Sequence, residues 1–207
     1  MSILRILLDN GHGNNTPGKR SPEWADGSQL LEYECNRDTV RRVALKLDRE
    51  GIPYHIITPE EFDVPLATRA NRVNALCHKY GRNNCLLLSV HSNASKNHNA
   101  SGIEVYTSKG VTESDEYAEI FYEQSLEDCP DARKRCDMSD GDHDKEEAFY
   151  MLRKTLCPAV LIESYFFDYE PDCRILMSEE GREQIAEWYF ESIKKCIELY
   201  NQKHQNK

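Results

Sequence analysis

The chain predicts an α/β fold, a single domain over 1–207 with a largely parallel twisted sheet covered by helices on both faces. Three observations carry that expectation. Residues 3–8, 85–90 and 159–162 are nearly continuous aliphatic runs, as strands buried on both faces are. Segments of helical period alternate with them. A length of 207 residues also allows one domain to bury a substantial core.

The elements follow in order. Residues 3–8 form a strand bounded by Asp9-Asn10-Gly11. Over 36–50, Val40, Val43, Ala44 and Leu47 share one face opposite the charges, and Gly51 and Pro53 stop that helix. Residues 54–58 read as a second strand, and 65–80 as a helix with Leu66, Ala70, Val73 and Leu76 in register. "CLLLSV" at 85–90 is a buried strand that ends in His91, and "GIEVYT" at 102–107 is another. A helix over 114–127 precedes the polar stretch 128–147, which reads as a loop or insertion within a variable region around 108–147. "AVLIES" at 159–164 follows Pro158 as a strand, and an amphipathic helix over 179–200 closes the chain.

Composition excludes several classes. With 26 basic and 36 acidic side chains the net charge is −10, which gives nucleic-acid binding no electrostatic support. No apolar run is long enough for a membrane span. The start, MSILRILLDNGHG, lacks the layout of an export signal, so synthesis in the cytoplasm is expected. Eight cysteines form no CxxC pair and are expected to be free thiols. "DGDHD" at 140–144 lacks the twelve-residue calcium pattern with its terminal glutamate and reads as a solvated acidic loop.

Chemistry collects at strand ends. The buried strands ending near 8, 90 and 162 deliver His12, His91 and Glu163, and ligands of open parallel sheets gather beyond such carboxyl ends. Glu32, in "LLEYECN" just ahead of the helix near Asn36, is a fourth candidate. Two imidazoles and one carboxylate form a common catalytic zinc set with a position left for water. A further glutamate off the metal would take that water's proton. The glycines on either side of His12 are expected to let backbone approach the ion and substrate, with Asp9 or a backbone carbonyl holding the other ring nitrogen.

These pieces resemble the zinc-dependent N-acetylmuramoyl-L-alanine amidases of the family 3 type, which cut bacterial peptidoglycan. "LLDNGHG", "EYECN", "PLATRANRVNAL", "LLLSVHSNA", "GIEVYTS" and "LRKTLCPAVLIESYFFD" resemble the family's motifs in the family's order, over most of residues 3–200. The resemblance implies a phosphorylase/hydrolase-like fold and one Zn2+ per chain held by His12, Glu32 and His91, with Glu163 as the catalytic glutamate. It implies peptidoglycan or muropeptides as the partner. Asn93, Arg69 and Arg153 are candidate substrate contacts, though either arginine could equally pin helices. Departures at Asn10, Asn14, 58–59 and 163–169 spare the four chemical positions. The rival readings are a zinc peptidase or deacylase on another amide, and a non-catalytic wall-binding module. A phage or prophage lysin, or a bacterial enzyme without its signal, would suit the layout.

Overall fold

The computed structural model describes residues 3–204. Six strands, β1 (Arg5–Asn10), β2 (Tyr54–Ile56), β3 (Cys85–Asn93), β4 (Ile103–Thr107), β5 (Lys145–Glu146) and β6 (Ala159–Phe166), form one sheet in the order β2-β1-β3-β6-β4-β5. β2, β1, β3 and β6 run parallel, β4 lies antiparallel to β6, and β5 follows β4 in parallel. The sheet is therefore largely parallel on the half that carries β1, β3 and β6, as the aliphatic runs imply.

The helices are α1 (Glu32–Glu50), α2 (Leu66–Tyr80), α3 (Glu113–Asp128), α4 (Tyr150–Lys154), α5 (Glu170–Met177) and α6 (Glu179–His204). Strand side chains alternate between two cores. Ile6, Leu8, Leu86, Leu88, Val160 and Ile162 meet Val40, Val43, Phe121, Trp188, Tyr189 and Ile193 on one face. Leu7, Leu87, Ala159 and Leu161 meet Ala70, Val73, Met151 and Leu152 on the other. Each fully buried aliphatic side chain of this kind contributes about 1.5–3 kcal/mol, which is what fixes the strands side by side. Among the described residues no helix is long and apolar enough to cross a membrane.

Several expectations need correction. α1 starts at Glu32, one turn earlier than the sequence implies, so Asn36 lies inside the helix and its side chain is not facing solvent. Its amide instead turns sideways, to Glu32 Oε1 at 3.3 Å and Gly11 O at 3.2 Å. The second strand ends at Ile56, and α4, α5 and the two-residue β5 are too short to show a period. The loop after α3 is not simply solvated, since Asp144 within it is 2 % exposed. All eight cysteines are free, and only Cys136 is exposed.

Candidate metal centre and catalytic site

The sheet register builds the site as a row. His91 stands opposite Glu163 across β3 and β6, and Glu163 opposite Glu104 across β6 and β4. Gly11 extends β1 beside them, its N–H bonded to Val90 O at 2.9 Å. A Cβ on Gly11 would lie 2.1 Å from His91 Cε1, so the imidazole can lie there only over a glycine. Gly13 is packed just as closely, 2.0 Å from the Asp63 nitrogen. The left-handed residue is neither glycine but His12 itself, at φ 64°. The glycines thus serve by lacking a side chain, rather than by lending backbone freedom.

A left-handed non-glycine costs on the order of 1–3 kcal/mol and persists only where its surroundings hold it. Here the His12 carbonyl accepts from Arg37 Nη1 and Nη2, both at 3.1 Å, and from Arg69 Nη2 at 3.2 Å. Arg69 also donates to Val64 O, Asn10 O, Asp63 and the buried Asp9. Its side chain is buried with every nitrogen committed, so it holds the 9–13 turn in place. Asp9, expected as a histidine's partner, is taken by Arg69 and Ser89 instead. Arg69→Leu would leave the Asp9 carboxylate buried and unpaired, and a loss of about 3–5 kcal/mol in chemical unfolding is expected. Arg69→Lys should recover only part of it, because one ammonium cannot reproduce the guanidinium fork.

Glu32 opens α1 fully buried, where the helix dipole favours a carboxylate. Its Oε1 lies 3.2 Å from His91 Nδ1, 3.3 Å from His12 Nε2 and 3.2 Å from the Ser92 N–H. The two imidazoles meet edge-on at 84°, their centroids 4.9 Å apart. One ligand atom from each of His12, Glu32 and His91 therefore falls within 4.8 Å of the others. His12 Nε2 and Glu32 Oε2 are buried without an aligned hydrogen-bond partner. Two imidazole nitrogens and a carboxylate with idle lone pairs fit a zinc ion well.

The electrostatics of Glu32 and His12 agree with that fit. Burial works against ionising Glu32, yet contact with both histidines holds its carboxyl well below the ordinary range. Burial pushes His12 down, toward the neutral imidazole a metal requires. On His91 burial also opposes the charge, but Glu32 and Glu163 outweigh it and the net shift is upward.

Glu163 lies inside β6, three residues before its end, where burial raises its carboxyl to about 7, with His91 acting against the rise. Its Oε2 has no partner among the described residues. The ladder slips by one residue just beyond it, with Asn93 pairing Phe166. This bulge puts Tyr165 at φ 63° and turns both Ser164 and Tyr165 toward the α6 core, leaving Glu163 on the site side.

Of the two further candidates, Asn93 lies beside the row and Arg153 does not. Both ends of the Asn93 amide are engaged, Nδ2 donating to Glu104 at 2.5 Å and Oδ1 accepting from Ala94 N–H at 2.7 Å. Arg153 is exposed on α4. It lines a cleft of about 710 Å³ with Arg82, Asn83 and Pro158, which precede β3 and β6. That is the amino-terminal end of the sheet, opposite His12, Glu32 and His91, so Arg153 does not reach Glu163.

Sequence reasoning missed three groups. Lys19 places its ammonium 3.5 Å from Glu32 Oε2, on a loop that carries no periodic signal. Arg37 looks like any exposed helix charge. Glu104 was findable, since a glutamate inside an aliphatic strand needs partners. It has them in Tyr106 at 2.6 Å and in Arg135 and Lys145, each at 2.7 Å.

A largely parallel sheet whose β3 and β6, with the turn after β1 and the first turn of α1, bring two histidines and two glutamates together defines an α/β protein with a candidate hydrolytic metal centre. More narrowly, the N-acetylmuramoyl-L-alanine amidase family model matches residues 6–195, and the chain belongs to that family. It is 26% identical over 198 residues to the amidase CwlM of Bacillus licheniformis, spanning 95% of this chain and 70% of that one. LytC of Bacillus subtilis is also 26% identical, over 185 residues, but these make up only 33% of its length. Among solved structures, an N-acetylmuramoyl-L-alanine amidase from Clostridium difficile 630 superposes with TM-score 0.78 at 24% identity, covering 96% of this chain and 98% of that one. AmiC2 of Nostoc punctiforme gives 0.74 at 25%, covering 94% and 97%.

Proposed function

We propose that this chain is a zinc hydrolase of the cell wall. The bond is the amide between the lactyl group of N-acetylmuramic acid and the first L-alanine of the peptidoglycan stem peptide. The observation that carries the reading is the convergence of His12 Nε2, Glu32 Oε1 and His91 Nδ1, with an unpartnered Glu163 oxygen on the neighbouring strand. The family to which the chain belongs supports the choice of bond.

His12, Glu32 and His91 would hold one zinc per chain. When bound, it supplies a Lewis acid that makes water acidic near neutral pH and polarises a carbonyl. Asn36 and the Ser92 N–H orient the Glu32 carboxylate by donating to its Oε1, which leaves Oε2 without a hydrogen-bond donor. Arg37 and Arg69 fix the His12 backbone, and through it the ring. Glu163 takes the proton of the attacking water on its free oxygen and returns it to the nitrogen of the leaving L-alanine. Its raised carboxyl suits both halves of that task near neutral pH.

Digestion of purified peptidoglycan tests the bond. Free α-amino groups should appear on L-alanine with no new reducing sugar ends. Amino groups appearing on D-alanine or diaminopimelate would make the protein a peptidase, and reducing ends a glycosidase. No product at all from zinc-loaded protein would leave a wall-binding module.

A further inference from the structure

One strand outward from Glu163, the row of site residues ends in positive charge. We propose that Arg135 and Lys145 form a carboxylate-binding subsite that reads the second residue of the stem peptide. Glu104, buried and the register partner of Glu163, anchors both cations. Its Oε2 accepts from Asn93 Nδ2 and from the Tyr106 hydroxyl. Its Oε1 accepts from Arg135 Nε and Lys145 Nζ, each at 2.7 Å. One carboxylate thus faces two cations, and neither has another acidic partner among the described residues. A positive charge is left over there, in a chain whose net charge is −10.

Backbone pairing holds both cations in place. The Arg135 N–H donates to Ile103 O at 3.0 Å, and the Ile103 N–H to Arg133 O at 2.9 Å. A Cβ on Gly102 would lie 2.0 Å from Arg133 O, so residues 133–135 dock on β4 only over a glycine. Lys145 pairs with Tyr106 in the ladder between β4 and β5. From that outer edge the Arg135 side chain reaches back over β4 toward the site. Its guanidinium carbon lies 5.3 Å from the centre of the Phe166 ring on β6, three residues beyond Glu163. The Arg135 and Lys145 side chains stay 28% and 27% exposed, so a solute can reach them.

The idle donors select the ligand. Only Nε of Arg135 is engaged, and its Nη1 and Nη2 have no acceptor among the described residues. Their N–H groups form a planar fork that matches the two oxygens of a carboxylate, with the Lys145 ammonium beside it as a point charge. A carboxamide offers one acceptor and no charge, so it fits the fork poorly.

The position selects which carboxylate. Neighbouring strands lie about 4.8 Å apart, and each residue of an extended peptide spans about 3.3–3.6 Å. With the leaving L-alanine nitrogen at Glu163, the next stem residue places its carboxyl about 7 Å along the chain, within side-chain reach of β4. In peptidoglycan that residue is D-glutamate joined through its γ-carboxyl, which leaves the α-carboxyl free or, in some walls, amidated. The subsite would therefore sort stem peptides by that one group. This inference rests on the amidase reading for the line of the peptide, so its test includes binding, which needs no turnover.

The probe is the tripeptide L-alanyl-γ-D-glutamyl-L-lysine, with its D-glutamyl α-carboxyl free or amidated, titrated calorimetrically into zinc-loaded protein. The free acid should bind about tenfold tighter than the amide, the usual worth of a hydrogen bond to a charged group. Arg135→Gln and Lys145→Gln should each bring that ratio toward one while zinc content stays unchanged. Each variant leaves Glu104 three of its four donors, and Lys145→Gln decides the matter if Arg135→Gln does not fold. Arg135→Lys keeps the charge without the fork and should recover only part of the ratio. Arg153→Gln removes the same charge at the far end of the sheet and should leave the ratio alone. With the corresponding muropeptides the discrimination should appear in KM, with kcat held. Equal affinity of the parent chain for the two peptides would overturn the proposal. So would a ratio unchanged in either folded variant, or an equal fall in Arg153→Gln. An Arg135-dependent preference in protein that hydrolyses no muropeptide would keep the subsite and overturn the amidase reading.

Discussion

His91→Ala is expected to purify with far less than one zinc per chain and to lose peptidoglycan hydrolysis with it. His91 contributes a single nitrogen, but the other two ligands depend on it. Its Nδ1 is 3.2 Å from the same Glu32 oxygen that His12 approaches at 3.3 Å, so its removal leaves two ligands and a poorly oriented carboxylate. Loss of an outer-shell partner alone typically costs about 10–100-fold in metal affinity, and loss of a ligand should exceed that. Zinc content measured after gel filtration, with circular dichroism as a folding check, decides the point. A folded His91→Ala chain with one zinc would remove His91 from the metal centre.

Much of this centre was legible in the chain, and the reasons are local. Aliphatic runs that end in histidine or glutamate mark where a strand leaves the core, although β3 and β6 run on to Asn93 and Phe166, and parallel strands bring these points together. His12, His91 and Glu163 were therefore readable together. The four-residue step from Glu32 to Asn36 was readable as a motif, but its meaning was not. It is one helical turn, and the second residue holds the first by a hydrogen bond. The roles of the arginines were hidden for a different reason. Charge on a helix usually faces water, and nothing in "PLATRANRVNAL" says that Arg69 is buried under a left-handed histidine. The loop at 140–144 failed in the same way, because composition reports charge and not burial. Short elements such as β5 and α4 carry too few residues for a period to show.

Glu163→Gln should keep zinc at full occupancy while turnover falls by about 10²–10⁴-fold, the usual worth of a positioned general base. Glutamine has nearly the shape of glutamate but accepts no proton. The variant therefore separates base from ligand, since a fourth ligand's loss would lower zinc content as well. Its stability carries a second signature. In the metal-free chain burial raises the Glu163 carboxyl from its ordinary 4.5 to about 7. The unfolded chain therefore ionises first as pH rises, and the native state loses stability across that window. The glutamine side chain does not titrate, so metal-free Glu163→Gln should gain on the parent chain from about pH 4.5 to 7 and hold a constant advantage above it. Bound zinc lowers the Glu163 carboxyl by its positive charge and should shrink that advantage. Zinc analysis, chemical unfolding at several pH values and a peptidoglycan assay together test the assignment. Near-normal hydrolysis by the zinc-loaded variant would show that the proton goes elsewhere, and Glu163 would lose its place in the mechanism.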